Sequence, residues 1–390
     1  MLGRVDCVVI GGGVIGLAIA RQVALRGKEV IVLEQNQRVG METSSRNSEV
    51  VHRGIYYGNS SLKAKLCIEG RKLLFDYLEA RNIPFQNCGK LIVASNSSEE
   101  VKLRQIYENA VRNGVDDLEF LSQKQVKKLE PELLCHSALH SPNTAIFDSH
   151  TFMLNLVGDI EEYGGSIATN CAFHSAFQQS SGSSDREEGF LVETSQGALS
   201  TRTLINAAGL HAPFIAQKIA PYSAQLGLSS AFFCKGSYFK LRGKSPFSRL
   251  VYPLPSEAGL GVHYTIDLSG AARFGPDTEW LPSSYASSYY VHSAAPPSAI
   301  YEVDPKKASI FAAEIRRYWP DVKDDDLVPD YSGIRPKLAG PESKSRDFSI
   351  EGHSSHRVKG FVNLMGLESP GLTSSLAVAQ YVLKEHLPIL

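Results

Sequence analysis

The stretch DCVVIGGGVIGLAIARQVALRGKEVIVLE, residues 6–34, decides the fold. It opens with a β-branched run at 6–10, passes through three consecutive glycines, continues with a helical pattern at 17–26 and ends with an apolar run at 30–33. Strand, glycine turn, helix and strand in this order are typical of a Rossmann-type unit. The sequence therefore predicts an α/β fold with a dinucleotide site near its N-terminus.

Each glycine of this turn has a physical role. Gly11 permits a tight turn, Gly13 lets the backbone approach a pyrophosphate, and Gly16 allows the helix to pack closely on the sheet. The free N–H groups at the start of the helix favour the phosphates. Glu34, at the end of the second strand, is placed to accept hydrogen bonds from ribose hydroxyls and would repel a 2′-phosphate.

Composition excludes several function classes. Lys and Arg number 40 against 41 Asp and Glu, a balance that argues against a nucleic-acid partner. The uncharged apolar run at residues 7–20 is broken by three consecutive glycines and is too short for a transmembrane segment. The six cysteines have no metal-ligand spacing, so we predict neither a metal site nor a disulfide scaffold.

Three further segments suit a bound cofactor. Residues 42–57 form a long connection rich in hydroxyls, although a solvated loop with Arg46 paired to Glu49 is the alternative. Residues 360–375 read as a strand, a glycine loop and a helix start, which would stabilise negative charge on a reduced flavin and so favour FAD over a nicotinamide. Residues 203–209 form a strand ending in small residues, suited to the ADP half. The predicted FAD contacts are Gly11, Gly13, Val14, Ile15, Gly16, Glu34, Ser44, Ser45, Arg46, Asn47, Ser48, Ala208, Gly209, Gly366, Ser369, Pro370, Gly371, Leu372 and Thr373.

These segments belong to a wider set of motifs that covers essentially the whole chain. The motifs are SSRNSEVVHRGIYY at 44–57, LKAKLC at 62–67, CGKLIVA at 88–94, LGVHYT at 260–265, FGPD at 274–277, GIRPKL at 333–338 and ESPGLTSSLA at 368–377. Together they resemble the FAD-dependent oxidoreductases of the D-amino-acid oxidase and glycine oxidase superfamily, and most narrowly its 2-hydroxy-acid dehydrogenases. The resemblance implies oxidation of a five-carbon 2-hydroxy dicarboxylate to the 2-oxo acid, with hydride transfer from C2 to flavin N5.

The resemblance also implies a discontinuous domain arrangement. Residues 1–87, 148–221 and 330–390 would form the Rossmann-type FAD-binding domain. Residues 88–147 and 222–329 would form an α+β substrate domain on a mostly antiparallel sheet. Residues 180–188 read as a polar hairpin connection, and residues 282–297 as an irregular insertion of plain loop.

Two histidines are candidates for the base that removes the hydroxyl proton. Imidazole titrates near neutral pH, and His52 lies in the loop expected near the flavin, whereas His263 lies on a strand of the substrate sheet. His52 is the first candidate, with His263 as a second candidate or a hydrogen-bond partner of the substrate. A structural role for either is the alternative.

Arg335 is the candidate clamp for a substrate carboxylate, because a guanidinium binds a carboxylate through two parallel hydrogen bonds. The alternative is a structural salt bridge to Asp330 or Asp347. A dicarboxylate needs a second anchor, for which Lys337, Arg53 and Tyr57 are candidates that sequence leaves unranked.

Rival functions remain at this stage. An amino-acid or amine oxidase, or a glycerol-3-phosphate dehydrogenase, would keep the flavin and change the substrate; a non-catalytic FAD-binding protein would have no substrate. The electron acceptor could be oxygen, a quinone or an electron-transfer flavoprotein. The family resemblance implies a mitochondrial protein and the cytoplasm is the alternative, since the chain opens almost directly into a strand and leaves no room for a presequence.

Overall fold

The computed structural model describes residues 3–179, 188–222, 232–254, 261–282 and 298–388. The predicted hairpin connection and the predicted insertion therefore lie almost wholly outside the described residues. The strands in these ranges are β1 (Arg4–Ile10), β2 (Val30–Leu33), β3 (Val50–Val51), β4 (Phe85–Gln86), β5 (Lys90–Ala94), β6 (Glu119–Ser122), β7 (Ser137–Ser141), β8 (Ala145–Phe147), β9 (Ser166–Ala168), β10 (Phe173–Gln179), β11 (Gly189–Thr194), β12 (Gly197–Asn206), β13 (Ile219–Ala220), β14 (Phe232–Leu241), β15 (Leu250–Pro253), β16 (Tyr264–Ile266), β17 (Ala272–Phe274), β18 (Glu279–Trp280), β19 (Leu327–Lys337), β20 (Ser349–Glu351) and β21 (Phe361–Met365). The α-helices are α1 (Val14–Ala24), α2 (Leu62–Ala80), α3 (Ser97–Arg112), α4 (Gln123–Leu129), α5 (Ser149–Glu162), α6 (Ala212–Ala216), α7 (Ala308–Ile315), α8 (His353–His356) and α9 (Gly371–Glu385).

The first sheet confirms the predicted Rossmann-type unit. Strands β21, β12, β1, β2 and β9 lie side by side and are all parallel. Residues 7–10 of β1 are buried, as expected for a strand with both faces covered. Helices α1, α2, α5 and α9 cover one face and share one hydrophobic core with the sheet. The chain also adds an antiparallel meander, β10, β11 and β12, at one side.

The glycine turn between β1 and α1 has the close packing that the sequence predicts. Gly11 has a φ of +107°, and a Cβ there would lie 2.7 Å from the carbonyl oxygen of Ala207 on the turn after β12. A Cβ at Gly16 would lie 2.0 Å from the carbonyl oxygen of Gly11. Larger residues at these two positions would therefore push the helix away from the sheet.

The second sheet carries the predicted α+β substrate domain. Its strand order is β18, β14, β17, β16, β15, β5, β7 and β6, and β19 pairs with β14 along nearly its whole length. Every pairing is antiparallel except that of β5 with β15. Helix α7 packs on one face, with Phe311 against Phe239 at a centroid distance of 4.6 Å. Pro305–Lys307 form a 3₁₀ turn directly before this helix.

The domain boundaries remain a proposal, and the pairing of β19 refines one of them. Arg335 pairs with Cys234 and Lys337 pairs with Phe232 in the second sheet. We therefore propose that the chain returns to the nucleotide-binding sheet after Lys337 rather than near residue 330.

A small sheet of β3, β8 and β4 lies at the start of the loop that carries His52. Val50 and Val51 pair with Ile146 and Ala145, and both valines are buried. Because β3 ends at Val51, this pairing fixes the position from which His52 leaves the strand.

Candidate active site

One cavity of about 600 Å³ connects the carboxyl ends of the nucleotide-binding strands with the second sheet. Its volume lies within the range usual for small-molecule and cofactor sites. The predicted cofactor residues that line it are Gly11, Gly13, Val14, Ile15, Glu34, Ser44, Arg46, Asn47, Ser48, Ala208, Gly209, Ser369, Pro370, Gly371 and Leu372. The predicted catalytic residues His52, His263 and Arg335 and the predicted substrate residue Lys337 line the same cavity.

Glu34 is held as the ribose prediction requires. Its carboxylate is only 7% exposed and accepts hydrogen bonds from the backbone N–H of Gly12 at 2.9 Å and of Asn36 at 2.8 Å. Burial raises the pKa of Glu34, while these N–H donors lower it, and the net direction is upward. The carboxylate is thus fixed in orientation at the end of β2, with both oxygens already engaged by the chain.

The loop after β2 reaches the N-terminus of α1. The hydroxyl of Ser44 accepts a hydrogen bond from the N–H of Val14 at 3.0 Å. A Cβ at Gly13 would lie 3.1 Å from the same oxygen, so the glycine is needed for this approach. The loop therefore lies against the turn that is expected to hold a pyrophosphate.

Arg46 does not form the surface pair with Glu49 that was the alternative for this loop. Its guanidinium carbon lies 4.0 Å from the ring centroid of Tyr301, and Nη1 donates to the carbonyl of Ser332 at 3.3 Å. Glu49 instead accepts from the hydroxyl of Ser149 at 2.7 Å. The loop is thus tied to the second sheet, which supports a binding role.

The start of α9 offers a second set of unused backbone donors. Within the described residues, the N–H groups of Leu372 and Thr373 have no hydrogen-bond partner, and the first turn carries no acidic residue. Gly371 and Leu372 line the cavity. Such a helix end stabilises negative charge, which agrees with the prediction for this segment.

Four predicted cofactor residues do not line the cavity. Gly16 packs α1 on β1, and the hydroxyl of Ser45 is directed to the carbonyl of Glu42 at 3.3 Å. Gly366 has a φ of +69°, and a Cβ there would clash with Leu338. Thr373 is fully buried, and its hydroxyl bonds the N–H of His52 at 3.0 Å. These four residues position the residues that line the cavity.

These features fit an FAD-sized group. They include a glycine turn in which a Cβ would clash with neighbouring backbone, a carboxylate of fixed orientation at the end of β2, and two helix starts that face one cavity. Glu34 would hold the ribose, the starts of α1 and α9 would face the pyrophosphate and the ring, and the loop at 44–48 would cover them. Of the described residues, no three His, Cys, Asp or Glu side chains form a group that could bind a metal ion.

The two candidate histidines are both neutral. Burial, together with the positive charge of Lys90, lowers the pKa of His52 to about 3 and that of His263 to about 3. The ring of His263 stacks on Tyr252 at a centroid distance of 3.8 Å and an angle of 10°. A neutral imidazole has a free lone pair and can accept a proton, but a pKa this far below neutrality makes it a weaker base than the ordinary imidazole that the sequence argument assumes.

Arg335 has no acidic partner among the described residues. Its Nη1 lies 3.0 Å from Sγ of Cys234, and Nη2 donates to the carbonyl of Asp277 at 3.0 Å. The two candidate structural partners are engaged elsewhere: Asp330 pairs with Arg273, and Asp347 accepts from backbone N–H groups at the start of α2. The salt-bridge interpretation of Arg335 is therefore wrong.

The three candidates for the second anchor differ in their environments. Arg53 pairs with Asp117, and Lys337 pairs at 2.7 Å with Glu368, which it shares with Lys63, so the group of two lysines and one carboxylate keeps one positive charge. The Tyr57 hydroxyl lies 3.5 Å from that of Ser369 and does not line the cavity.

Sequence reasoning missed several polar residues of the site. Lys90 does not itself line the cavity, but it is 1% exposed and lies 4.9 Å from the ring centroid of Tyr252, which does. Burial raises the pKa of Tyr238 and of Tyr252, and the neighbouring hydroxyl of Ser48 lowers both in part. The available signal for Lys90 was a charged residue inside an otherwise apolar strand, CGKLIVA.

A further missed pair lies on the nucleotide side. His211 Nε2 is 3.0 Å from Glu42, and both residues line the cavity. Burial raises the pKa of Glu42, but the imidazole of His211 and its hydrogen bonds outweigh burial, so that the net pKa is lowered. Nothing in the local sequence of either residue indicated this pair, because they are far apart in the chain.

Comparison with known proteins agrees with this geometry. The family model for FAD-dependent oxidoreductases matches residues 6–384. The chain therefore belongs to the FAD-dependent oxidoreductase family, and the prediction of a flavoenzyme with FAD as its cofactor is confirmed.

Within this class, the chain is similar to the mitochondrial L-2-hydroxyglutarate dehydrogenase of Arabidopsis thaliana. The two are 41% identical, and the match covers 98% of this chain and 84% of that protein. The motifs quoted above resemble this enzyme most narrowly, so the prediction of an enzyme like L-2-hydroxyglutarate dehydrogenase is confirmed.

Two solved structures show the same fold. The FAD-bound L-α-glycerophosphate oxidase of Mycoplasma pneumoniae superposes with a TM-score of 0.83 at 23% identity, covering 98% of this chain and 94% of that one. Glycine oxidase of Geobacillus kaustophilus superposes with a TM-score of 0.76 at 19% identity, with the same two coverages. None of the described helices has the length and apolar character needed to cross a membrane.

Proposed function

We propose that this enzyme oxidises L-2-hydroxyglutarate to 2-oxoglutarate, with His52 as the base and Arg335 as the clamp for the carboxylate next to the reacting carbon. The observation that carries the proposal is that two neutral histidines and an arginine without an acidic partner line one cavity with the nucleotide-binding residues. The name of the plant relative supplies the substrate.

Arg335 is suited to hold the carboxylate because its guanidinium contacts a thiol sulfur and a backbone carbonyl and forms no ion pair with a described carboxylate. A Cβ at Gly236 would lie 2.7 Å from Nη2 of Arg335, so the glycine makes room for the side chain. A buried guanidinium without an anion is costly, and a bound carboxylate would offset that cost.

His52 would take the hydroxyl proton of the substrate. The bound flavin supplies the acceptor for the C2 hydrogen and its two electrons. The backbone N–H of His52 donates to Thr373 Oγ1, which ties the imidazole to the start of α9. His263, held on Tyr252, would hydrogen-bond the substrate hydroxyl or carboxylate.

The test is anaerobic reduction of the purified holoenzyme followed by absorbance at the flavin bands. L-2-Hydroxyglutarate should bleach the flavin, whereas D-amino acids and glycerol 3-phosphate should leave it oxidised. Bleaching by an amino acid alone would overturn the proposal in favour of an amino-acid oxidase, and bleaching by glycerol 3-phosphate alone would favour the phosphate substrate.

We also propose that the enzyme works in mitochondria and passes its electrons to a quinone or another flavoprotein. The basis is the wording of the relatives' names, which call them mitochondrial and dehydrogenases. Reoxidation of the reduced enzyme should be slow in air and fast with a soluble quinone. Equal rates would argue for oxygen as the acceptor, and recovery from the soluble cell fraction rather than mitochondria would overturn the compartment.

A further inference from the structure

The second sheet holds a buried cation that the proposed mechanism does not use. Lys90, the first residue of β5, is 1% exposed. Its ammonium forms no hydrogen bond and no ion pair with any part of the chain that the structure describes. The nearest described rings are Tyr252 and Tyr56, with centroids 4.9 and 5.2 Å from Nζ. Aromatic faces offset only part of the cost of burying an ammonium.

Lys90 lies on the face of the sheet that is directed toward the cavity. Lys90 pairs with Leu250 on the adjacent parallel strand, and Tyr252, two residues further along that strand, lines the cavity. Side chains two residues apart on a strand point to the same face. Lys90 and Tyr252 therefore share a face.

The charge of Lys90 reaches the proposed reaction centre. It lowers the pKa of both His52 and His263, after the larger effect of burial. Arg335 also lowers the pKa of His263. The charges of Lys90 on β5 and Arg335 on β19 therefore both act on His263.

Three other cations near this region have a carboxylate partner, although one carboxylate serves two of them. Lys337 and Lys63 both pair with Glu368, at 2.7 and 3.0 Å, and Arg53 pairs with Asp117.

Four cations of this region lack a carboxylate partner among the described residues: Lys90, Arg335, Arg46 and Lys235. Arg335, Arg46 and Lys235 each donate to a backbone carbonyl, whereas the ammonium of Lys90 has no acceptor among the described residues. Lys90 and Arg335, whose charges both act on His263, suit a substrate with two carboxylates and one hydroxyl.

We propose that Lys90 binds the distal carboxylate of a 2-hydroxy dicarboxylate and thereby selects dicarboxylates over 2-hydroxy monocarboxylates. The inference rests on the proposed function, in which Arg335 holds the carboxylate next to C2. A bound carboxylate would supply the missing counter-ion, and the pair would be buried, where a charge-assisted hydrogen bond is strong.

Lys90→Met is the main test, and Lys235→Met is its matched control. Lys235 is a buried lysine of the same second sheet, but its Nζ donates to the carbonyl of Glu302, and it lies between the cavity-lining positions Cys234 and Gly236 on β14. Glutarate, a dicarboxylate that cannot be oxidised at C2, is titrated into each holoenzyme and followed by the perturbation of the flavin absorbance. Lys90→Met should weaken glutarate binding by roughly 10-fold to 100-fold, and Lys235→Met should not weaken it.

The second readout is substrate preference. The ratio of kcat/KM for L-2-hydroxyglutarate to that for L-2-hydroxyvalerate should fall in Lys90→Met by a similar factor, with the monocarboxylate nearly unaffected. An equal loss for both substrates, or an equal loss in Lys235→Met, would overturn the proposal. If the wild-type enzyme ignores L-2-hydroxyglutarate, the proposed function fails, but glutarate titration still decides whether Lys90 holds a carboxylate.

Folding is checked by the amount of bound flavin and by Tm. Replacing an unpaired buried charge by an apolar side chain of similar length should keep or raise Tm. Lys90→Arg retains a cation and should retain the preference for dicarboxylates. Loss of flavin from both Lys90→Met and Lys90→Arg would show that Lys90 has a structural role and would overturn the proposal.

Discussion

The two halves of the cavity are built on different principles. On the nucleotide side, contiguous backbone does most of the work: the turn at Gly11, the start of α1 and the start of α9 present N–H groups. On the substrate side, single side chains come from separate segments: Lys90 lies on β5, Arg335 on β19 and His263 directly before β16. The nucleotide half of the cavity therefore depends on the conformation of the backbone. The substrate half depends on the positions of charged side chains that have no partner of opposite charge.

The largest expected effect tests the dependence on backbone shape. Gly11→Ala should abolish FAD binding and lower the yield of folded protein, because its Cβ would overlap the carbonyl of Ala207 in addition to the strain of a positive φ. Bound flavin per chain measures the effect. Gly27→Ala is the control, since Gly27 also has a positive φ, of +70°, but has nothing within 4 Å of a Cβ. Equal damage in both variants would show that strain, and not close approach, limits this turn.

The next largest effect is expected from a variant on the substrate side of the cavity that leaves the nucleotide side unchanged. His52→Ala should keep the flavin but lower the rate of anaerobic reduction by roughly a hundredfold or more, the usual contribution of an acid–base group. Stopped-flow absorbance measures this rate. His174→Ala, at an exposed position of β10, should reduce at the wild-type rate. A His52→Ala enzyme that is as fast as wild type would move the role of base to His263.

A smaller effect is expected at Arg335. Arg335→Ala should raise KM for L-2-hydroxyglutarate by roughly 10-fold to 100-fold, because a charge-assisted hydrogen bond to the carboxylate is lost. Flavin content should not change, since Arg335 belongs to the second sheet. Steady-state kinetics at several substrate concentrations measure KM. An unchanged KM would show that Arg335 does not bind the substrate carboxylate.

The smallest effect concerns stability against pH. The folded-state pKa of His263 is lowered to about 3, mainly by burial, so in the unfolded chain the imidazole takes up a proton at a higher pH than in the folded chain. The stability that this histidine contributes is present above the ordinary pKa and is lost as pH falls toward the folded value. Between pH 7 and 5 the loss should be on the order of 1 kcal/mol, reduced by solvent in the cavity. Tm of the holoenzyme should fall less steeply with acidification in His263→Gln, and parallel curves would contradict the assignment.

The sequence predicted the nucleotide side in detail because the relevant residues are neighbours in the chain. The glycines, β2 and Glu34 all lie within 29 residues, and each has a conformational requirement that its residue type reveals. The start of α9 was also predicted, since proline and glycine mark the helix start locally. The comparison with the family confirmed the cofactor that these patterns indicated.

The substrate side was predicted only in part, because pairing decides the role of a charge. From sequence, Lys337 and Arg53 are as good candidates for a carboxylate anchor as any other cation. The structure places Glu368 beside Lys337 and Asp117 beside Arg53. Lys90 was overlooked because the absence of a partner is a property of the folded chain. The stacking of His263 on Tyr252 likewise depends on two strands meeting, and no local pattern encodes it.

The hydroxyl of Thr373 bonds both the N–H of His52 and the carbonyl of Val50, across more than 300 residues of chain. The backbone of His52, the proposed base, is therefore held by the same helix start that we expect to face the flavin. A shift of α9 would move His52 with it. The distance between His52 and the start of α9 would therefore stay the same when other parts of the cavity move.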